Sequence, residues 1–163
     1  MKHCALVLLL GLPISAACGQ SAPAPASATP AIPSPITPEF INVVEPWPYP
    51  FSSAVRAGQF LFLSGQIGTE IVAGTPTLIA GGIDAETRQT MENIKTILAK
   101  AGGSLDDVVK CSVMMADMAE WPRMNTIYAT YFPGKKPARA AWGASGLALG
   151  ARVEIDCIAI ARP

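Results

Sequence analysis

The chain has 163 residues, a length that suits one domain with a substantial hydrophobic core. Its 12 basic residues balance 12 acidic ones, which does not indicate a basic face for nucleic acid. The only histidine, His3, lies in a segment expected to be removed, which excludes histidine-based triads and most histidine metal sites. The four cysteines show no CxxC spacing, so neither a metal site nor a redox motif is predicted; they are Cys4, Cys18, Cys111 and Cys157.

The first 17 residues have the pattern of an export signal, with a short basic start, an apolar run over 5–14 and small residues before a cleavage point. The run is shorter than the roughly 20 residues that a membrane-spanning helix needs. Cys18 resembles the acceptor cysteine of a bacterial lipoprotein, although Ser15 stands where that pattern usually has Leu. The sequence therefore predicts an exported, periplasmic protein, either lipid-anchored through Cys18 or soluble.

Residues 18–38 are rich in Pro, Ala and Ser and carry no charged side chain. Such a segment cannot bury enough apolar surface to order itself, so we expect an extended, semi-rigid tether. The alternative is a plain low-complexity leader. The folded domain is expected over 39–163.

Two amphipathic helices are predicted, over 83–102 with Asp84 as the N-cap and over 120–132. The first has Met91, Ile94 and Leu98 on one face, and the aromatic residues of the second are interpreted as core. The predicted strands are 52–56, 59–64, a short one near 77–80, 108–115, 138–143 and 152–160. Runs of strands with two helices indicate the α+β class, with one mixed sheet and both helices on one face.

The last predicted strand alternates apolar residues with charged ones, among them Glu154. If it lies beside 138–143, Arg139 and Glu154 come close together among small apolar neighbours. A buried charged pair costs desolvation free energy, so it needs mutual compensation or a ligand. From the residues alone, an internal ion pair and a ligand site are both open.

Several motifs resemble those of the RidA (YjgF/YER057c/UK114) family. Pro137-Ala138-Arg139, the Gly-rich segment 146–151 and Val153-Glu154-Ile155-Asp156 are similar to the C-terminal signature, and FLSGQIG over 62–68 is similar to an upstream motif. The resemblance covers roughly 46–162. It implies the chorismate-mutase-like fold and a homotrimer with ligand sites between subunits.

The resemblance also implies roles for individual residues. Arg139 is expected to bind the carboxylate of a 2-imino acid through its planar fork, and Glu154 is expected to hold the attacking water. The substrate-binding positions that it implies are Phe51, where the family has Tyr, Gly65, Asn125 and Ala141. No cofactor is expected, because the imine carbon is already electrophilic.

Three functions are compared. The leading hypothesis is an enamine/imine deaminase that hydrolyses 2-imino acids to 2-oxo acids and ammonia. The alternative is a non-catalytic trimer that binds small carboxylates or metabolites, which the missing hydroxyl at Phe51 and the export signal favour. The balanced charge argues against an endoribonuclease, since RNA affinity rests largely on Lys and Arg contacts with phosphates.

Overall fold

The computed structural model describes residues 35–46 and 48–161. The leader predicted over 1–17, the acceptor Cys18 and most of the tether predicted over 18–38 lie outside the described residues. Among the described residues, no helix has the length and apolar character needed to cross a membrane.

The described residues form strands that alternate with two helices. The helices are α1 (Gly82–Lys100) and α2 (Trp121–Thr130). The strands are β1 (Glu39–Ile41), β2 (Ala54–Ala57), β3 (Phe60–Leu63), β4 (Gln66–Ile67), β5 (Thr69–Val72), β6 (Thr75–Leu78), β7 (Val108–Met115), β8 (Ala138–Gly143) and β9 (Val153–Ile160).

One mixed sheet has the strand order β1-β2-β3-β9-β7-β8, with β4 also paired to β9. All of its pairs are antiparallel except β7 and β8, which run parallel because α2 provides the crossover between them. Strands β5 and β6 form a separate hairpin. The predicted α+β class and mixed sheet are confirmed.

The hydrophobic core lies between the two helices and one face of the sheet. Every second residue of β9 is buried, as the alternation predicts, and Val153 and Ile155 are fully so. Met91, Ile94 and Leu98 of α1 reach the same core, together with Met124 and Tyr128 of α2. Both helices therefore pack against one face of the sheet.

One local prediction was wrong, and two short strands were not predicted. Asp84 is not the N-cap of α1, because Gly81 precedes the helix with φ 117°, and Asp84 lies in the first turn with its Oδ1 3.1 Å from Arg123 Nε. The short strand expected near 77–80 is present as β6, although its hairpin partner β5 and the three-residue edge strand β1 were not predicted. The two unpredicted strands are short and largely exposed, so they lack the burial pattern that marks a strand in a sequence.

A disulfide joins Cys111 of β7 to Cys157 of β9, with an S–S distance of 2.02 Å. The two residues are directly opposite each other in the antiparallel register, and both are buried. The cysteine spacing did not indicate this bond, because the partners are 46 residues apart and only the strand pairing brings them together.

The sheet face away from the helices, called the open face below, carries many exposed apolar side chains. Phe40, Val55, Phe62 and Ile158 form one row across four strands. A second row joins Glu154, Met114 and Trp142. Phe40 is 69% exposed, Phe62 44% and Trp142 45%, so the described residues leave these rings uncovered.

Candidate functional site

Arg139 lies on the edge strand β8, on the helix side of the sheet. It is opposite Cys111 in the parallel register, and the same alternation buries Cys111. Its Nη2 donates a hydrogen bond to Asn125 Oδ1 at 2.7 Å, and its guanidinium carbon lies over the Tyr128 ring, 4.6 Å from the centroid. Within the described part of the chain, no carboxylate is within ion-pair distance of Arg139.

Ala141 follows Arg139 on the same face of β8, where it is half-buried and packs against the core. Asn125, Arg139 and Ala141 therefore form one group of predicted site residues, called the Arg139 group. Asn125 belongs to it through the hydrogen bond to Arg139.

Glu154 lies on β9 and points to the open face, because its neighbours Val153 and Ile155 point into the core and side chains alternate along a strand. Its register partners are Ile67 and Met114. Burial raises the pKa of the Glu154 carboxyl above its usual range, and the nearby charge of Asp156 raises it further. Gly65 lies directly against this carboxylate, since an added Cβ there would overlap Oε1 and lie 3.0 Å from Cδ. Because glycine has no Cβ, the Glu154 carboxylate can occupy this position without a steric clash.

Phe51 lies in the segment before β2, half-exposed, with its ring 5.5 Å from that of Tyr49. This segment is fixed beside Gly65, because the Ser64 hydroxyl donates to the carbonyl oxygen of Ser52 at 2.7 Å. Gly65 and Glu154 form a second group, called the Glu154 group, and Phe51 is assigned to it through the segment that this hydrogen bond holds beside Gly65.

The two groups are separate within one chain. Strand β7 lies between β8 and β9, so the expectation that the strands of Arg139 and Glu154 lie side by side was wrong. The alternative of an internal ion pair was wrong as well, because Arg139 is on the helix side and Glu154 on the open face. The alternation within each strand was predicted correctly, but it does not specify which strands are neighbours.

The comparisons with known proteins identify the family. A family profile described as Endoribonuclease L-PSP matches residues 45–161. The chain belongs to this family, that of the RidA proteins. This RidA-family chain is 41% identical over 114 residues to the 2-iminobutanoate/2-iminopropanoate deaminase of Mus musculus, which covers 70% of the chain and 83% of that protein. It is 37% identical over 110 residues to the chloroplastic Reactive Intermediate Deaminase A of Arabidopsis thaliana, covering 68% and 58% respectively.

Solved structures show the same RidA fold. The crystal structure of YEO7 from yeast superposes with a TM-score of 0.71 at 32% identity, covering 77% of this chain and all of that one. Escherichia coli TdcF, crystallised with bound serine, gives a TM-score of 0.64 at 26% identity, covering 76% and 94%. The predicted RidA-like fold is confirmed.

One contact of the candidate site was not predicted. The aromatic residues of 120–132 were expected in the core, and Tyr128 packs there but also contacts Arg139. Trp121 is 5.8 Å from the same guanidinium. The available signal was the spacing of Trp121, Asn125 and Tyr128, which places all three on one stripe of α2.

Proposed function

We propose that this protein is an enamine/imine deaminase that hydrolyses 2-imino acids to 2-oxo acids and ammonia. Relatives named 2-iminobutanoate/2-iminopropanoate deaminase are 39–41% identical to the chain over 114 residues. The observation that carries the proposal is the half-buried Arg139, which is held by an amide and an aromatic ring with no carboxylate partner in the described residues. Such a guanidinium is suited to a carboxylate ligand.

The chemistry follows from the two groups. Arg139 binds the substrate carboxylate through two parallel N–H···O bonds, which orients the imine carbon. Glu154 accepts a proton from water as the water oxygen bonds to that carbon, and the protonated Glu154 passes the proton to the imine nitrogen. In the resulting carbinolamine, Glu154 takes the hydroxyl proton and passes it to the amino nitrogen as the C–N bond breaks, a C=O bond forms and ammonia leaves. The raised pKa of Glu154 makes its carboxylate a stronger base than an ordinary one.

We also propose a homotrimer in which the Arg139 group of one chain and the Glu154 group of a neighbouring chain form one pocket between subunits. The exposed rings of the open face support this assembly, because monomeric proteins rarely expose contiguous apolar patches of this kind. Light scattering on the purified protein should give about three times the mass of one chain. A monomer would remove the shared pocket and the catalytic proposal with it.

We also propose that the protein is exported to the periplasm and anchored by a lipid on Cys18. The buried Cys111–Cys157 disulfide supports export, since such bonds form and persist in oxidising compartments. Cys18→Ala should move the protein from the membrane fraction to the soluble periplasmic fraction. Unchanged fractionation, with no lipid mass on the amino-terminal peptide, would contradict the anchor and leave the soluble exported form.

One assay separates catalysis from binding alone. The solved TdcF structure contains bound serine, and Phe51 lacks the hydroxyl of the family's Tyr, so a non-catalytic carboxylate-binding trimer is the second candidate. An imine is generated in the assay by an amino acid oxidase, and its loss is followed with and without the protein. Faster loss supports the deaminase. An unchanged rate, together with serine binding measured by calorimetry, would support the binding protein.

The family profile's description names an endoribonuclease, but the balanced charge does not favour RNA binding.

A further inference from the structure

The Tyr128 ring lies against the Arg139 guanidinium, with the guanidinium carbon 4.6 Å from the ring centroid. We propose that the face of the Tyr128 ring is a positioning element that holds the Arg139 fork in the plane required for carboxylate binding. Trp121 supports the same guanidinium from one end of the α2 stripe, at 5.8 Å. The inference rests on the proposed function, because it concerns how the proposed ligand-binding arginine is oriented.

Tyr128 interacts with the Arg139 guanidinium through its ring and not through its hydroxyl. Within the described residues, the buried Tyr128 hydroxyl has no hydrogen-bond partner. Burial raises the pKa of Tyr128 to about 12, against the opposing effect of the Arg139 charge. The phenol therefore stays protonated in the physiological range and does not form an ion pair with Arg139. The remaining attraction is that between a cation and the electron-rich ring face.

The ring and the Asn125 amide restrict different motions of the guanidinium. A flat ring below the guanidinium limits its tilt, and the hydrogen bond from Nη2 to Asn125 Oδ1 limits its rotation within the plane. Arg has five N–H donors, so others remain for a carboxylate. The arrangement holds the charge in place without a counter-charge that would compete with the ligand.

A second interpretation is that Tyr128 serves the core alone, since it is only 6% exposed and its ring lies 4.9 Å from that of Phe132. Three substitutions in the full chain distinguish the two roles. Tyr128→Phe keeps the ring, Tyr128→Leu removes it, and Phe132→Leu removes a ring from the same cluster. The described contacts place no Phe132 ring on Arg139, so Phe132→Leu is the matched control.

We expect Tyr128→Leu to raise KM for the 2-imino acid about tenfold, with a smaller change in kcat, because the carboxylate keeps its charge throughout the reaction. Tyr128→Phe should keep the wild-type KM, and Phe132→Leu should lower the melting temperature without changing KM. In an Arg139→Ala background, Tyr128→Leu should give no further loss, because the two residues act through one interaction.

A second measurement does not depend on turnover. The ring current of Tyr128 should shift the NMR signals of the Arg139 side chain, which are assigned by their disappearance in Arg139→Lys. The shift should persist in Tyr128→Phe and Phe132→Leu. In Tyr128→Leu, or in Tyr128→Met if the Leu variant does not fold, it should fall to the smaller contribution of the more distant Trp121 ring. If the wild type hydrolyses no imine, the proposed function fails, and this shift still decides the positioning. Unshifted Arg139 signals in the wild type, or unchanged signals and KM in Tyr128→Leu, would overturn the inference.

Discussion

The substitution Gly65→Ala tests the role of Glu154 without changing Glu154 itself. An alanine Cβ would overlap Oε1 of Glu154 and lie 3.0 Å from Cδ and 3.1 Å from Cγ. Ordinary Cβ contacts begin near 3.4 Å, so the carboxylate oxygen must move by about 1 Å or more. A displacement of that size at a reacting group costs about 100-fold in rate, so kcat for imine hydrolysis should fall by about that factor.

The fold should tolerate the same substitution. The atoms displaced are the flexible end of a side chain, and Gly65 is not among the glycines with positive φ. We expect the free energy of unfolding to change by less than about 1 kcal/mol. Gly68→Ala is the contrasting case, because its Cβ would lie 2.6 Å from the Cα of Glu86, a backbone atom that cannot move aside cheaply. That variant should lose about 1–3 kcal/mol of stability.

The assay compares kcat, KM and thermal unfolding of the variants with those of Gly146→Ala, whose added Cβ has no heavy atom within 4 Å. Gly146→Ala should match the wild type in all three measurements. A folded Gly65→Ala protein with wild-type kcat would refute the reasoning, since it would show that the position of the Glu154 carboxylate does not matter for the reaction.

Three further predictions follow from the same contacts. Arg139→Lys should lower kcat/KM about 10–100-fold through loss of the bidentate fork, while stability changes by less than about 1 kcal/mol because no ion pair is broken. Activity should fall as the pH drops through the raised pKa of Glu154, and Asp156→Asn should move this fall to lower pH. Replacing Cys111 and Cys157 together by Ala should cost about 3–4 kcal/mol in chemical denaturation, because the bond closes a loop of 46 residues in the unfolded chain.

The raised pKa of Glu154 also fixes the sign of a stability effect. The folded state binds this proton more tightly than the unfolded state, so the ionised carboxylate destabilises the fold above its folded pKa. The penalty disappears below the ordinary value of 4.5. Glu154→Gln should therefore raise the melting temperature at pH 7 and leave it unchanged near pH 3. A lower melting temperature of Glu154→Gln at pH 7 would contradict this account. Unaltered activity of Arg139→Lys would contradict the role of the bidentate guanidinium.

The sequence predicts which face of a strand or helix is buried better than it predicts which strands are adjacent in the sheet. The alternation in β9 and the helical spacing in α1 correctly assign the buried residues, because burial imposes a period on each element by itself. Nothing in β8 or β9 shows that β7 lies between them, since strand order is fixed by the assembly of the whole sheet. The disulfide was missed for the same reason, although Cys111 and Cys157 each occupy a core-facing position of a predicted strand.

The roles of the candidate site residues stay a prediction, and their arrangement was not predicted. The family resemblance supplied Arg139, Asn125 and Glu154, and the structure joins the first two and separates the third. The helical spacing places Tyr128 on the same stripe as Asn125, but it does not distinguish a core ring from one that contacts Arg139, because a buried aromatic residue on a helix has the same pattern in both cases. Only the parallel pairing of β7 and β8 brings Arg139 under α2.

Arg139 and Glu154 lie on opposite faces of the sheet in one chain. In the proposed trimer, two differently mutated chains could therefore restore a complete site between them. A chain with Arg139→Ala and a chain with Glu154→Gln are each expected to be inactive alone. When the two are unfolded together and reassembled, about one subunit contact in four joins an intact Arg139 to an intact Glu154 of the neighbouring chain. The mixture of two inactive variants should therefore regain imine hydrolysis. The smallest functional unit of this protein would be a contact between chains, not a folded chain.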